Sequence, residues 1–272
     1  MPELPEVETT RRGLVQHMQG QRIATAIIRN GSLRWPIPRD FRRRVAGRMV
    51  RTVERRGKYL LFDCETGWIM LHLGMSGSLQ VVPGAATAGK HDHLDLVLDS
   101  GVVIRFNDPR RFGAVLWEPG DPLRHRLLTD LAPEPLGTDF TAAWLHKHTR
   151  TRNAAIKSLV MDSHIVVGVG NIYASESLFR AGIHPAMAAR RLSLLRCEKL
   201  VAAIQQTLQA AIEAGGSTLR NYVGAEGRPG YFQKSYFVYG RAGHPCQVCV
   251  TPIKAMRQGQ RSTFYCPVCQ RR

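Results

Sequence analysis

The sequence predicts an α+β protein of two domains: an N-terminal β-sandwich that begins with a helix, and a C-terminal helical domain that ends in a cysteine-rich hairpin. Three observations support this prediction. Apolar residues recur with a period of two in short segments between Arg22 and Pro119, and the period becomes helical after Pro135. Four of the six cysteines lie in the last 27 residues. With 272 residues, 44% of them hydrophobic, the chain is long enough for two modest domains.

The first domain is predicted to span residues 1–132. A helix is expected over residues 6–19, where apolar side chains fall on one face and Gly20 ends the pattern. The short segments that follow are typical of strands separated by Gly, Asp and Ser turns. Because no helical segment interrupts them, they favour a β-sandwich or a barrel-like domain. These segments are IATAIIR, KYLLFDC, WIMLHLG, SLQVV, LDLVLD, VVIRF and AVLWEP.

The second domain is predicted over residues 133–237 and begins near the end of a proline-rich stretch, Pro119 to Pro135. Its apolar pattern indicates several helices, the last of which is long and stops at Gly215 and Gly216. The tail, residues 238–272, is too short and too polar to form its own core, so it needs a cross-link. The helices are expected over residues 141–149, 153–161, 172–181 and 192–214.

The charge of the chain points to a polyanionic partner. Its 38 Lys and Arg against 21 Asp and Glu give a formal net charge of +17. Residues 39–58 hold nine basic and two acidic side chains, and residues 241–272 hold six basic and none acidic. Such runs are often only solvated surface, but one in each domain suits a cleft that grips a phosphate backbone. Neither an apolar leader nor a run of about 18 apolar residues is present, so nucleic acid is favoured over a membrane.

The cysteine-rich tail predicts a metal site. Cys246, Cys249, Cys266 and Cys269 form a C-x2-C-x16-C-x2-C pattern, which is within the spacing of a four-cysteine zinc site. Four protein ligands leave no open position, so we expect one structural zinc ion and no redox cofactor. A pair of redox dithiols is the alternative, and it is less favoured because the two pairs match. The pattern indicates a reducing cytoplasm. The predicted hairpin between the pairs also carries Arg261, placed to touch DNA phosphates.

The first residues of the chain can supply a nucleophile. If Met1 is removed, the nitrogen of Pro2 becomes a free secondary amine, and α-amino groups have pKa values of about 7.7–8.0. Such an amine can attack an electrophilic carbon to form an iminium, as catalytic lysines do. Glu3 lies next to it and could move the protons. Taken alone, however, Pro2 is an ordinary second residue.

A glycine-rich segment, GVGNIYASESLFRAGI, spans residues 168–183. Two glycines make a tight turn before a helix whose first polar residue is Asn171. A helix N-terminus with free amides is a phosphate site. An ordinary helical hairpin with an Asn cap explains the same pattern, and the pattern alone favours that reading.

Several long motifs connect the chain to one family of bacterial enzymes. They are MPELPEVE, RRGKYLLF, HLGMSG, KHDHLDL, NDPRRFG, GVGNIYASESLF, GRPGYF and the cysteine tail with QRSTFYC. The sequence resembles the formamidopyrimidine-DNA glycosylases, base-excision repair enzymes, over nearly its whole length. The resemblance implies a DNA glycosylase with AP-lyase activity that removes 8-oxoguanine and formamidopyrimidines. Its partner would be damaged double-stranded DNA, bound by a monomer in the cytoplasm at the bacterial nucleoid.

The resemblance also implies roles for individual residues. Pro2 would form the Schiff base that leads to β,δ-elimination, and Glu3 would be the acid/base. The segment with Asn171 would be a helix–two-turns–helix element whose asparagine holds DNA phosphate. At Asn153 the chain departs from the basic DNA contact common in the family, and Arg152 is a candidate substitute. The remaining catalytic and DNA-binding assignments are Lys58, Arg261, His91 and Arg110.

Base excision also requires residues that replace the base in the duplex. A target base must be flipped out of the stack, at a cost of roughly a few kcal/mol, and the gap must be filled. Met75, Arg110 and Phe112 lie in turns between predicted strands, and an apolar wedge with a guanidinium suits that task. Core packing is the alternative for Met75 and Phe112, as a solvated surface position is for Lys58. Residues 215–231 are rich in glycine, and in related enzymes the corresponding loop covers the flipped purine.

The sequence is also compatible with two other functions. An endonuclease VIII-type glycosylase would use the same N-terminal residues to remove oxidised pyrimidines. The LPEV motif and the GGSTLRNYVGAEGRPGYF segment, however, look more like the purine-type enzyme. A non-enzymatic zinc-ribbon protein would explain the charge and the cysteines but not MPELPEVE. A duplex with one 8-oxoguanine separates the three, because the first nicks it well, the second poorly and the third not at all.

Overall fold

The computed structural model describes residues 2–217, 224–225, 227 and 229–271. The chain divides into two units. Unit 1 comprises Met1–Asp130 and Ala214–Gln233, and unit 2 comprises Leu131–Glu213 and Lys234–Arg272. Among the described helices, none is long and apolar enough to cross a membrane.

Unit 1 contains two antiparallel sheets of four strands each, in the orders β1-β6-β7-β5 and β2-β3-β4-β8. Apolar side chains from both sheets, such as Leu96, Ile104, Phe62 and Leu71, share one hydrophobic core. The β-sandwich predicted from the period-two segments is therefore confirmed. The strands are β1 Ile23–Ile28, β2 Thr52–Arg56, β3 Tyr59–Asp63, β4 Trp68–His72, β5 Ser78–Pro83, β6 Asp92–Leu98, β7 Val102–Asn107 and β8 Ala114–Glu118.

The first helix, α1, spans Leu4–Met18 and buries Leu14 and Met18 in the same core. It begins two residues earlier than predicted because Glu3 and Glu6 form a capping box, in which each side chain accepts a hydrogen bond from the backbone N–H of the other. The helix therefore starts two residues after Pro2, with Glu3 as its N-cap.

Unit 1 also contains the short helix α2, Phe41–Val45, and strand β2, neither of which the apolar pattern predicted. Both lie in the arginine-rich run, where few apolar residues reveal a period. Phe41 and Val45 are the buried residues of α2, and β2 is an edge strand in which only Val53 is fully buried. An edge strand with charged side chains discourages pairing with another chain.

Unit 2 is built from four α-helices among its described residues, in agreement with the predicted helical character. They are α3 Ala142–Thr149, α4 Ile156–Val160, α5 Asn171–Arg180 and α6 Leu194–Glu213. Helix α5 is the central one, since every residue from Ile172 to Phe179 is buried. Its Glu176 carboxylate accepts hydrogen bonds of 2.8, 3.0 and 2.8 Å from the backbone N–H groups of Phe237, Val238 and Tyr239.

The end of unit 2 is a two-stranded antiparallel hairpin, as the cysteine spacing predicted. Strand β9, Lys254–Gln258, pairs with β10, Arg261–Tyr265, so that Arg261 lies opposite Gln258 at the turn. A small cluster of buried residues, including Phe179, Val238 and Ile253, connects the hairpin to α5.

Candidate active site and nucleic-acid interface

The beginning of α1 holds Pro2 and Glu3 in a fixed position. Pro2 is buried and Glu3 is 2% exposed. The backbone N–H of Glu3 donates to Glu6 Oε2 at 2.8 Å, and the Glu3 carboxylate accepts from the backbone N–H of Glu6 in return. Because these two bonds are reciprocal, the residue next to Pro2 cannot fray as helix ends usually do.

The second carboxylate oxygen of Glu6 connects α1 to a distant segment of the chain. Its Oε1 accepts a hydrogen bond of 2.8 Å from the backbone N–H of Ser217, and Gly216 packs against the same side chain with φ +79°. Glu6 is a functional residue that was not predicted from the sequence. The pattern that could have found it is an acidic residue three positions after an N-cap. In the glycine-rich loop predicted to cover the flipped purine, residues 218–223, 226 and 228 lie outside the described residues.

A second group of polar residues lies where β3 pairs with β4. Lys58 directly precedes β3, and the rings of Tyr59 and His72 lie 4.7 Å apart on paired residues. Nδ1 of His72 accepts from the backbone N–H of Gly74 at 2.9 Å, which leaves Nε2 as a donor in the neutral ring. Desolvation, and then the charges of Lys58 and Arg34, lower the pKa of His72 to about 4. The ring is therefore neutral at pH 7, and the sequence analysis missed it although HLGMSG begins with this residue.

The predicted gap-filling residues are exposed in the structure rather than part of the core. Met75 is 41% and Phe112 is 42% exposed, and the guanidinium of Arg110 lies 4.7 Å from the centre of the Phe112 ring. This separation is typical of a cation–π contact. The half-buried His91 lies just before β6. Arg110 and Phe112 line a cavity of about 430 Å³ with Ser32, Leu33, Arg34 and Arg111.

In unit 2, Asn171 is the first residue of α5 but does not cap that helix. The N-cap is Gly170, which provides no side-chain hydrogen bond. Asn171 Oδ1 instead accepts from Lys157 Nζ at 2.6 Å, and its Nδ2 donates to Ser262 O at 3.0 Å. The expectation of an Asn cap is thus wrong, because the side chain turns away from its own helix towards the hairpin.

Lys157 is the residue of this group that the sequence analysis overlooked. It is 2% exposed, and its ammonium also donates to Thr263 Oγ1 at 2.7 Å. It lies at one wall of a cavity of about 270 Å³ that Arg261 and Gln258 also line. A buried cation and the N-terminus of α5 both favour an anion nearby. Asn153 and Arg152 are exposed in the segment before α4.

The four clustered cysteines fit a tetrahedral zinc ion. Their sulfur atoms all lie within 4.8 Å of one another, with Cys246 to Cys269 at 3.9 Å and Cys249 to Cys266 at 3.4 Å. Zn–S bonds of about 2.3 Å place the sulfurs of a tetrahedron roughly 3.8 Å apart. Backbone N–H groups also point at two of the sulfurs, at 3.4 Å from Cys246 Sγ and from Cys266 Sγ.

The two remaining cysteines, Cys64 and Cys197, are separate from this cluster. Both are buried. Burial raises the pKa of Cys64 to about 12 and that of Cys197 to about 11. Both groups therefore stay protonated near neutral pH, and a thiol without its thiolate is neither a nucleophile nor a metal ligand.

A β-sandwich whose first helix follows a buried Pro2 and Glu3, combined with a helical unit and a four-cysteine hairpin, defines a zinc-finger enzyme of the nucleic-acid-binding class. The sequence matches three family models. They are the formamidopyrimidine-DNA glycosylase N-terminal domain over residues 1–115, the H2TH domain of the same glycosylase over residues 131–223, and the zinc finger found in FPG and IleRS over residues 243–272. The chain belongs to the formamidopyrimidine-DNA glycosylase family.

Individual relatives agree with this assignment along the full chain. The formamidopyrimidine-DNA glycosylase of Cupriavidus pinatubonensis is 58% identical, over 99% of this chain and 100% of the relative. Among solved structures, the MutM (FPG) protein of Thermus thermophilus has a TM-score of 0.89 at 37% identity, covering 99% of this chain and 98% of that one. A mutant of the Lactococcus lactis FPG in complex with DNA containing Fapy-dG has a TM-score of 0.92 at 32% identity, covering 100% of both chains.

Proposed function

We propose that this chain excises oxidised purines, 8-oxoguanine and formamidopyrimidines, from duplex DNA and then cleaves the strand at the resulting abasic site. The observation that carries the proposal is the terminus, where Pro2 and Glu3 are buried and fixed by the capping box in a member of this glycosylase family. The Fapy-dG complex of the Lactococcus relative supports the substrate class. The net charge of +17 supports a DNA partner.

In the proposed reaction, removal of Met1 frees the Pro2 nitrogen as a secondary amine. Its lone pair attacks C1′ of the sugar, the glycosidic bond breaks, and the base leaves with a proton from Glu3. The Pro2 nitrogen then gives its own proton to the Glu3 carboxylate, which passes it to the ring oxygen as the sugar ring opens. The product is an iminium between Pro2 and C1′, which acidifies the proton on C2′. Loss of that proton expels the 3′ phosphate, a second elimination expels the 5′ phosphate, and hydrolysis of the iminium releases Pro2.

Phosphate contacts in unit 1 are assigned to Lys58 and to the neutral His72. Lys58 provides a positive charge beside β3, and His72 offers an Nε2–H because Gly74 occupies its Nδ1. A ring whose pKa is about 4 keeps this donor unchanged across physiological pH. His91, from the segment before β6, is assigned to the DNA backbone as well.

The gap left by the flipped nucleotide is assigned to Met75, Arg110 and Phe112. The exposure of Met75 and Phe112 removes core packing as the alternative and leaves both side chains accessible to a duplex. In unit 2, Asn171 and Arg261 are assigned to phosphates, since a buried ammonium and a helix N-terminus accompany them. Arg261 is also assigned to the later elimination step, and Asn153 with Arg152 to the backbone.

We assign catalysis to the predicted segment 1–132, DNA binding to 133–237 and the zinc hairpin to 238–272. Residues Ala214–Gln233 belong structurally to the unit of the catalytic segment. Cys246, Cys249, Cys266 and Cys269 would hold one zinc ion, which supplies a cross-link that fixes the hairpin with Arg261 at its turn. We assign the protein to the bacterial cytoplasm, at the nucleoid, acting as a monomer.

Incision of a panel of lesion duplexes tests the proposed function. A duplex with 8-oxoguanine should be nicked well and one with an oxidised pyrimidine poorly. Borohydride should reduce the iminium and trap the protein on the DNA, with the adduct on Pro2. A chain that keeps Met1 or carries an N-terminal extension is the matched control, because its Pro2 nitrogen is an amide; it should bind DNA without being trapped. Preference for pyrimidine lesions would indicate the endonuclease VIII type, and an adduct on Lys58 would contradict the nucleophile.

A further inference from the structure

A buried carboxylate, Asp108, lies beneath the gap-filling residues of unit 1. Asp108 follows β7 directly and is 0% exposed. Its Oδ1 accepts from Ser76 Oγ at 2.7 Å and from the backbone N–H of Arg110 at 3.2 Å. Its Oδ2 accepts from the backbone N–H of Gly113 at 2.8 Å. Ser76 belongs to the turn between β4 and β5, whereas Arg110 and Gly113 belong to the turn between β7 and β8, so one side chain connects two turns distant in sequence.

The main chain of Asp108 connects a third segment. Its N–H donates to His91 O at 3.0 Å, and its carbonyl oxygen lies 2.8 Å from Nε2 of the buried His93. All four residues proposed to contact DNA in this part of unit 1 are therefore either bonded to Asp108 themselves or adjacent to a residue that is. They are Met75, His91, Arg110 and Phe112.

The two turns also approach each other backbone to backbone. Gly74 has φ +65°, and a Cβ at this position would lie 2.5 Å from the nitrogen of Gly113 and from the carbonyl carbon of Phe112. Only glycine fits at such a distance. The close approach at Gly74 and the Asp108–Ser76 hydrogen bond are thus two separate connections between the turns.

We propose that Asp108 is a positioning residue that holds Met75, Arg110 and Phe112 in one arrangement, so that they enter the gap of the duplex together. This inference rests on the proposed function. Exposed side chains cannot be placed by core packing, so their positions must come from the backbone that carries them. A local Asx turn would need only the bond to Arg110. The bond to Ser76 of the other turn has no purpose in a local turn and sets the distance between Met75 and Phe112.

The test compares three variants. Asp108→Asn replaces an accepting oxygen with a donor that faces other donors, and Ser76→Ala removes only the bond between the turns. The matched control is Asp95→Asn, which alters another buried carboxylate of the same unit, bound to Arg105 and Arg29, without touching either turn. Each variant is assayed for excision of 8-oxoguanine from a duplex, and for cleavage at an abasic site in single-stranded DNA, which has no gap to fill.

A third measurement monitors the filling of the gap in the duplex on a DNA that the protein binds but cannot cleave. The probe is the fluorescence of 2-aminopurine placed opposite a reduced abasic site, which cannot react with Pro2. We expect Asp108→Asn and Ser76→Ala to slow duplex excision by about tenfold or more and to lose the fluorescence change, because each loses a charge-assisted hydrogen bond. Cleavage of the single strand should change by less than about twofold, and Asp95→Asn should retain the fluorescence change.

Two results would overturn the inference: equal losses on duplex and single strand, which indicate a merely structural role, or duplex excision and fluorescence that both survive in Ser76→Ala. Failure of the proposed function is a separate result. In that case the wild-type protein would not cut the 8-oxoguanine duplex. The 2-aminopurine fluorescence change would still differ between the wild type and Asp108→Asn.

Discussion

Glu8 provides the sharpest quantitative prediction. This residue is 9% exposed on α1, the helix that begins directly after Pro2 and Glu3. Its carboxylate pairs with Arg11 and Arg12 of the same helix at 2.8 and 2.9 Å, and with Arg55 of β2 at 3.1 Å. Burial alone would raise the pKa of Glu8, but the hydrogen bonds and charges of these arginines outweigh it and lower the pKa from 4.5 to about 2.

The perturbation is Glu8→Gln, which keeps the shape and removes the charge. A carboxyl with a pKa of about 2 instead of 4.5 contributes roughly 3 kcal/mol to folding at neutral pH. Since the side chain of Arg12 is 54% exposed, its pair is worth less, and we expect a loss of about 2 kcal/mol. Because the folded-state pKa lies below that of the unfolded chain, this stabilisation is complete above about pH 4.5 and is lost as the pH falls towards 2.

Urea unfolding of wild type and Glu8→Gln across this pH range measures the effect. The difference in free energy of unfolding should be largest at pH 7 and should shrink steadily below pH 4.5. Asp40→Asn is the control, because Asp40 pairs with Arg44 on the surface and should change stability much less. A difference for Glu8→Gln that is independent of pH, or no larger than that of Asp40→Asn, would refute the reasoning.

Three further predictions concern DNA binding and zinc. Cys246→Ser should bind less than one zinc per chain by metal analysis and should weaken DNA binding, whereas Cys197→Ser should keep its zinc because that buried thiol lies outside the cluster. The logarithm of the DNA-binding constant should fall with the logarithm of salt concentration at a slope of about −0.9 per neutralised phosphate, and a salt-independent constant would contradict a phosphate grip. Lys157→Met should make that slope shallower by about one contact, because Asn171 loses its charged partner. The exposed Lys199→Met on α6 should leave the slope unchanged, and an equal loss in both variants would remove Lys157 from the interface.

The parts of the fold with a local pattern were predictable from the sequence. The zinc cluster rests on cysteine spacing within 24 residues, and α1 and most strands follow from periodic apolar residues. Strand β2 could not be predicted, because it is an edge strand among arginines with a single buried residue and so shows no alternation of apolar and polar residues.

The unpredicted part of the candidate site consists of polar residues whose partners are distant in sequence. Glu6 bonds Ser217, Asp108 bonds Ser76, and Lys157 bonds Thr263. Nothing near any of these residues in the sequence identifies its partner, because the contact exists only once the sheets or helices have assembled. Such residues look like ordinary surface charges until the fold shows that they are buried.

Both ends of the segment between Ser217 and Ala225 are attached to the β-sandwich unit. Ser217 is bonded to Glu6, while the carbonyl of Ala225 accepts from the N–H of Val81 at 2.8 Å and its Cβ packs against Gly13. Because both points of attachment belong to the unit that carries Pro2, we expect changes in the residues between them to leave the terminus in place as long as Glu6 is retained.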